Sequence, residues 1–368
     1  MYSQQELDDA VASGAITADA ANALRLHIEN QRSTVIPDEE QFRLLTGFND
    51  IFVSIAAAIL LFAIGWIGQS IGQSAGMTVD HEGPSFLAPL GVAAAAWGLA
   101  TYFTAKRRMA LPSILLLLAF VGGVFLTVGF GLAQIIGEPP EAKEALYVGI
   151  AASVSGAIGA AAAWLHWKRF RVPITVATGA LSVSAIAVGL LIALLGDPEG
   201  YKNAILGFVL FLGVGVFLFA MWWDASDRAR LTRRSDVAFW LHLLAAPMIV
   251  HPVFTLLGLN DGHATITEGL VVVALYIALG VTALAIDRRA LLVSALAYVL
   301  FAMQQLFRQF GAVELNVALT ALVIGSALLM LSAFWHQARS AIVKPLPANL
   351  REKLPLVDRQ SVITQPAA

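Results

Sequence analysis

Apolar residues run along this chain in long, nearly unbroken stretches separated by short polar breaks. They show neither the alternation of half-buried strands nor the one-sided stripe of a surface helix. A membrane-crossing helix needs about 20 mostly apolar residues to traverse ~30 Å of hydrocarbon. Ten stretches qualify: 48–72, 86–104, 111–136, 146–167, 172–195, 204–223, 237–258, 268–286, 290–307 and 314–335. The breaks include Lys106-Arg107-Arg108, Gly137-Glu138-Pro139-Pro140 and Gly196-Asp197-Pro198-Glu199-Gly200, where Gly and Pro supply ordinary turn chemistry. A transmembrane β-barrel is excluded, because its strands are ~10 residues long with alternating polarity. The pattern predicts an all-α polytopic transmembrane bundle of about ten spans over 47–336, preceded by a polar segment 1–46 and followed by a mobile tail 337–368.

Composition narrows the class. Of the 368 residues, 58% are hydrophobic and 13% charged, and the mean hydropathy is +0.75. Soluble domains carry roughly 25% charged residues, so this chain lacks the charge to wet its exterior. A soluble enzyme, a disordered chain and a nucleic-acid binder are excluded on that ground. With no Cys, disulfides, thiolate metal sites and cysteine nucleophiles are excluded too. The net charge of −2 says nothing until it is divided between the two sides of the membrane.

That division is uneven. The breaks after the second, fourth, sixth and eighth stretches hold Lys106, Arg107, Arg108, Lys168, Arg169, Arg171, Arg228, Arg230, Arg233, Arg234, Arg288 and Arg289, whereas the odd-numbered breaks hold Lys143, Lys202 and Arg308. Lys and Arg in short loops are retained on the cytoplasmic side, so both termini are expected there. Trp164, Trp167, Trp222, Trp223, Trp240 and Trp335 fall at the same span ends, where an indole can straddle headgroup and acyl chain. The basic clusters recur near 107, 169, 234 and 288. That spacing reads as a duplicated helical hairpin or as the trivial period of two spans plus loops.

Residues 1–46 are polar, so no cleavable signal peptide is expected ahead of the first span. Ser3 with Glu6 makes a capping box, Gly14 is placed to end a helix in the left-handed conformation, and Thr17 caps a second helix carrying Leu24 and Ile28. The expectation is a small cytoplasmic amphipathic helical hairpin, packed on the basic face or docking a protein partner. The run Leu7-Asp8-Asp9-Ala10-Val11-Ala12-Ser13-Gly14-Ala15-Ile16-Thr17, then Ala20 and Leu24 ahead of a long apolar segment, resembles a family of prokaryotic predicted membrane proteins of unknown function. Those proteins open with such a hairpin before a multi-span bundle. The resemblance implies a prokaryotic cytoplasmic (inner) membrane and assigns no activity.

Inside the spans, small residues recur at four-residue spacing: Gly123, Thr127 and Gly131, and Gly149, Ser153 and Ala157. Such stripes let helix backbones approach closely where no hydrophobic drive exists. No charged residue lies deep in a span, which argues against ion-coupled antiport. No His-Glu-x-x-His, Gly-x-Ser-x-Gly or Gly-x-x-x-x-Gly-Lys motif occurs, so no enzyme, cofactor or metal site is expected, and no nucleic-acid partner. The candidate intramembrane polar residues are Gln134, Gln304, Gln305, His242, Pro247, His251 and Pro252. Pro247 cannot donate to the carbonyl of Leu243, nor Pro252 to that of Met248, and freed carbonyls in hydrocarbon are costly. Span seven is therefore expected to kink at 247–252 with His251 pointing into the bundle, either hydrogen-bonded there or lining a path. His242, nine residues away, would face the opposite side of a straight helix. Two functions follow: a carrier or channel for a small solute, or a non-catalytic scaffold or sensor whose hairpin docks a cytoplasmic partner.

Overall fold

The computed structural model describes residues 10–24, 48–79, 83–228, 230, 232–258, 266–289, 291–292, 296, 300 and 316–356. Every element among them is helical. The chain divides into Met1–Arg43 and Leu44–Ala368. In the first unit, the predicted punctuation is in place. Gly14 adopts φ +74° and its N–H bonds the Val11 carbonyl at 3.0 Å. The Thr17 hydroxyl accepts from the Ala20 N–H at 3.2 Å, capping the helix that follows. The Ser3–Glu6 box and Ile28 lie outside the described residues.

The second unit contains helices α1 (Phe48–Ser74), α2 (Leu87–Phe103), α3 (Ala110–Ile136), α4 (Glu144–Phe170), α5 (Ile174–Leu195), α6 (Lys202–Ala225), α7 (Arg233–Leu256), α8 (Ile266–Ile286), α9 (Asn316–Ala333), α10 (Trp335–Val343) and a single turn, α11 (Ala348–Arg351). Six helices are long and apolar enough to cross a membrane: α1, α3, α4, α5, α6 and α7. A seventh is counted if Ala321–Ala333 and Trp335–Val343, bent by 72°, form one span. Six or seven such helices among the described residues are fewer than the ten expected. The second stretch yields a helix of 17 residues, ~25 Å at 1.5 Å per residue. The ninth lies mostly outside the described residues.

Large apolar side chains face outward. Phe48, Phe52, Phe62 and Trp66 on α1 are all more than three-fifths exposed, while Ala96, Leu116, Ser155, His166, Asp224 and His242 are buried. A water-soluble fold would invert this, since exposing that much aromatic surface to water forfeits its transfer free energy. The arrangement is compatible with a multi-pass membrane protein.

Sequential helices pack on one another, most extensively α4 on α5 and α6 on α7. The α4–α5 contact uses the small-residue stripe. A Cβ on Gly189 would lie 2.6 Å from the Gly149 carbonyl oxygen, and one on Gly156 2.8 Å from the Ser182 carbonyl oxygen. The Ser153 hydroxyl donates to the Gly149 carbonyl within α4 and to the Ile186 carbonyl across the interface, at 2.8 and 3.1 Å. The register is Gly149, Ser153, Gly156, while Ala157 is exposed, because helical neighbours on one face alternate between three and four residues. Gly123 packs likewise on α2, 2.8 Å from the Pro89 carbonyl oxygen to a would-be Cβ. On α7, 56% of the most apolar window is buried, against 17% on α1, α5 and α6. That makes α7 the central helix.

The two ends of the bundle turn differently. After α1, α3, α5 and α7 the left-handed position is Gly76, Gly137, Gly196 and Gly258. After α2, α4, α6 and α8 it is Arg108, Arg171, Arg230 and Asp287, at φ +54° to +57°.

The mobile tail expected from residue 337 is corrected over 337–356. Trp335, Arg339 and Val343 are buried, Leu354 nearly so, and α10 packs against α8. Pro347 and Pro355 lie in a compact wrap whose carbonyls are bonded, as described below. Residues 357–368 lie outside the described set.

Gly189→Leu is expected to force α4 and α5 apart and lower stability by about 1–3 kcal/mol, read as a reduced melting temperature in detergent. Gly122→Leu, where a Cβ meets nothing within 4 Å, should leave it unchanged.

Candidate functional site

The candidate site is a buried polar cluster where α6, α7 and α8 converge with the C-terminal segment. Asp224 closes the last turn of α6 and is 1% exposed. A carboxylate there meets the negative end of the helix macrodipole and is cut off from water, so it is tolerable only with strong partners. Arg288, just beyond α8, grips it with a fork: Nε donates to Oδ2 at 3.2 Å and Nη2 to Oδ1. Planar guanidinium matches carboxylate in this way and adds direction to charge. His242 of α7 completes the site, its Nε2 lying 3.0 Å from Asp224 Oδ2. An ionised carboxylate only accepts, so Nε2 carries the proton. The ring stands edge-on to Phe217, with centroids 5.2 Å apart. Its Nδ1 is buried and has no hydrogen-bond partner among the described residues.

Asp287, the residue before Arg288, carries the cluster to the tail. Its Oδ1 accepts from the Trp335 indole N–H at 2.8 Å. Its Oδ2 pairs with Arg230 Nη1 at 3.0 Å, and Arg339 Nε lies 3.8 Å from Oδ1. Arg230 Nη2 also donates to the carbonyls of Ile286 and Asp287 at 3.0 and 2.9 Å, capping the C-terminal end of α8 as a cation should. Arg339, 2% exposed, donates to the carbonyls of Pro355 and Leu356 at 2.7 and 3.0 Å. Arg228 donates to those of Leu354 and Arg351 at 2.9 and 3.1 Å. Two arginines from different parts of the chain thus hold the backbone of 351–356.

The bend at Phe334 follows from this. The chain leaves α9, turns, and delivers the Trp335 indole to Asp287 and the Arg339 guanidinium to the tail. Trp335, expected at the membrane interface, is instead buried and hydrogen-bonded. Trp164 and Trp222 are 58% and 62% exposed, and Lys168 Nζ sits 3.9 Å over the Trp164 ring.

Of the residues expected to form an intramembrane site, only His242 joins this cluster. The helix α7 continues through both prolines from Arg233 to Leu256. Pro252 is buried, whereas Pro247 and His251 are exposed, which differs from the expectation that His251 points into the bundle. The two residues are four apart and share one face, while α7 packs on α6 at Gly213, where a Cβ would lie 2.9 Å from the Met248 backbone. Gln134 is half-buried, and Gln304 and Gln305 lie outside the described residues.

Asp224, Asp287 and Arg339 went unnoticed in the sequence because each sits at or beyond a span end, where charge is unremarkable. One signal was available: Asp224 and Asp287 are acidic residues in breaks otherwise dominated by Arg. A second buried imidazole, His166 on α4, was also missed. It lies 3.3 Å from the Thr175 hydroxyl and is enclosed by Trp97, Phe120 and Phe170. No group of three or more His, Asp or Glu suited to a metal ion occurs among the described residues.

No family model matches the chain, and no curated protein or solved structure matches it either.

Removing one partner of a buried pair costs about 3–5 kcal/mol, because the other charge is left uncompensated. Arg288→Met is therefore expected to lower detergent stability by that order. Adding Asp224→Asn should restore part of the loss, and a double-mutant cycle of melting curves reads the coupling directly.

Proposed function

We propose that this chain is a multi-pass protein of a prokaryotic cytoplasmic membrane, with about ten spans and both termini cytoplasmic. We further propose that it works as a non-catalytic scaffold or sensor. The observation that carries the reading is the ionic latch at one end of the bundle: Asp287, Arg228, Arg230 and Arg339 gather the C-terminal segment onto the ends of α6 and α8. A latch of this kind creates a fixed surface from sequence-distant parts, which is what a docking platform requires. The uneven distribution of Lys and Arg supports placing that surface in the cytoplasm, and the helical hairpin expected in segment 1–46 would offer a protein partner a separate contact.

The carrier reading draws less support. Of the residues that suggested a solute path, His242 alone among the described ones joins the buried cluster, and Asp224 of α6 and His242 of α7 are engaged with one another at a span end.

Two measurements test the proposal. In inside-out vesicles, trypsin should spare Lys344, Arg351 and Lys353 in the native chain and cut there rapidly in Asp287→Asn, because the latch has lost its anion. Equal cleavage in both proteins would remove the latch. In proteoliposomes, osmotic swelling with small neutral solutes should match that of protein-free vesicles, and swelling specific to the protein would return the reading to a carrier.

A further inference from the structure

A groove of about 190 Å³ opens beside the latch. It is walled by Leu292, Leu296, Leu328 and Leu331, with Arg289 and Trp335 at one end. Tyr276 and Ser332 also line it. Arg289 lies 4.7 Å over the Trp335 ring, and Leu328 lies five residues before the end of α9 at Ala333, ~8 Å along the helix at 1.5 Å per residue. A dry cavity of ~150 Å³ accepts a benzene-sized guest, so this one accepts a short run of methylenes and is too small for a packed helix.

The cation at its mouth differs from its neighbours. Arg228, Arg230, Arg288 and Arg339 are each engaged with carboxylates or backbone carbonyls. Arg289 is half-buried, and among the described residues it stacks on Trp335 and pairs with no carboxylate. Stacking orients a guanidinium without neutralising it. The charge therefore remains available to an anion, directly above an apolar wall.

We propose that this groove is a binding site for an anionic glycerophospholipid of the surrounding bilayer, its phosphate on Arg289 and one acyl chain along Leu292, Leu296 and Leu328. The site rests on the membrane embedding of the bundle and not on the scaffold reading. A guanidinium at the head and a leucine-lined slot behind it match the two ends of such a lipid, and Trp335 fixes both to the latch through its bond to Asp287. Lipid occupancy would then brace the same indole that closes the C-terminal segment.

The full chain is reconstituted in bilayers of phosphatidylcholine containing phosphatidylglycerol, released gently, and examined by native mass spectrometry for co-retained lipid. The native chain should retain phosphatidylglycerol over phosphatidylcholine. Arg289→Gln should reduce that retention about tenfold, the loss expected for one charge-assisted contact, and Arg289→Lys should restore much of it. Leu328→Trp, which fills the slot while keeping the charge, should lower retention of both lipids. Arg108→Gln, an exposed cation elsewhere, should change nothing. Undiminished phosphatidylglycerol on Arg289→Gln overturns the site, as does equal retention of the two lipids by the native chain. Displacement by millimolar inorganic phosphate would identify a soluble-anion site and overturn the lipid assignment.

Discussion

The buried carboxylate of Asp224 is the constraint from which the second half of the bundle takes its form. Burying an ion costs several kcal/mol after relaxation, and the C-terminal end of a helix adds its own penalty for an anion. The fold meets that cost by bringing Arg288 from 64 residues downstream and His242 from the neighbouring helix. Once Arg288 is pinned, the end of α8 is fixed against α6 and α7. Asp287 is then held at a defined place, so Trp335, Arg230 and Arg339 have a common target. The 72° bend after α9 and the bonded backbone of 351–356 are consequences of that chain of contacts. Lengthening or retracting any one of the three helices by a turn would strand a charge.

What the sequence made legible was local. The apolar stretches, the glycine that ends a helix at Gly14, the cap at Thr17 and the close approach at Gly149 and Gly123 each depend on residues within one or two turns. Their chemistry admits few alternatives. The cluster was not legible, because its partners are separated by 18 residues for Asp224–His242, 64 for Asp224–Arg288 and 126 for Arg228–Leu354. No periodicity reports such a pairing. The positive-inside reading also treated every arginine in a break as a solvated topological marker. Arg230 and Arg288 are arginines that fold the protein, while Arg108 and Arg171 are exposed and fit the marker role. One residue type at one kind of position serves two physical purposes, and only burial separates them.

The same difficulty shaped the reading of α7. Its two prolines and two histidines make it the most polar interior in the sequence, and His251 is the residue expected to point into the bundle. Depth along a helix says nothing about which face a residue occupies. His242 lies only nine residues from the start of α7 yet is fully buried, because that turn faces the end of α6. The buried histidine of α7 is His242, and His251 is exposed.

The helix ends show how backbone strain and charge are combined. A left-handed non-glycine residue costs on the order of 1 kcal/mol, and at one end of the bundle the chain avoids this by using glycine. At the other end it accepts the cost at Arg230 and Asp287, whose side chains face each other at 3.0 Å. Glycine at either position would relax the backbone and remove the ion pair together. The guanidinium of Arg230 also satisfies the last carbonyls of α8, a task that otherwise falls to water at a helix end. Strain at these two residues is therefore offset by a charge pair and by a helix cap that only side chains in that conformation supply. The opposite end carries no such pairing among the described residues, so there glycine suffices.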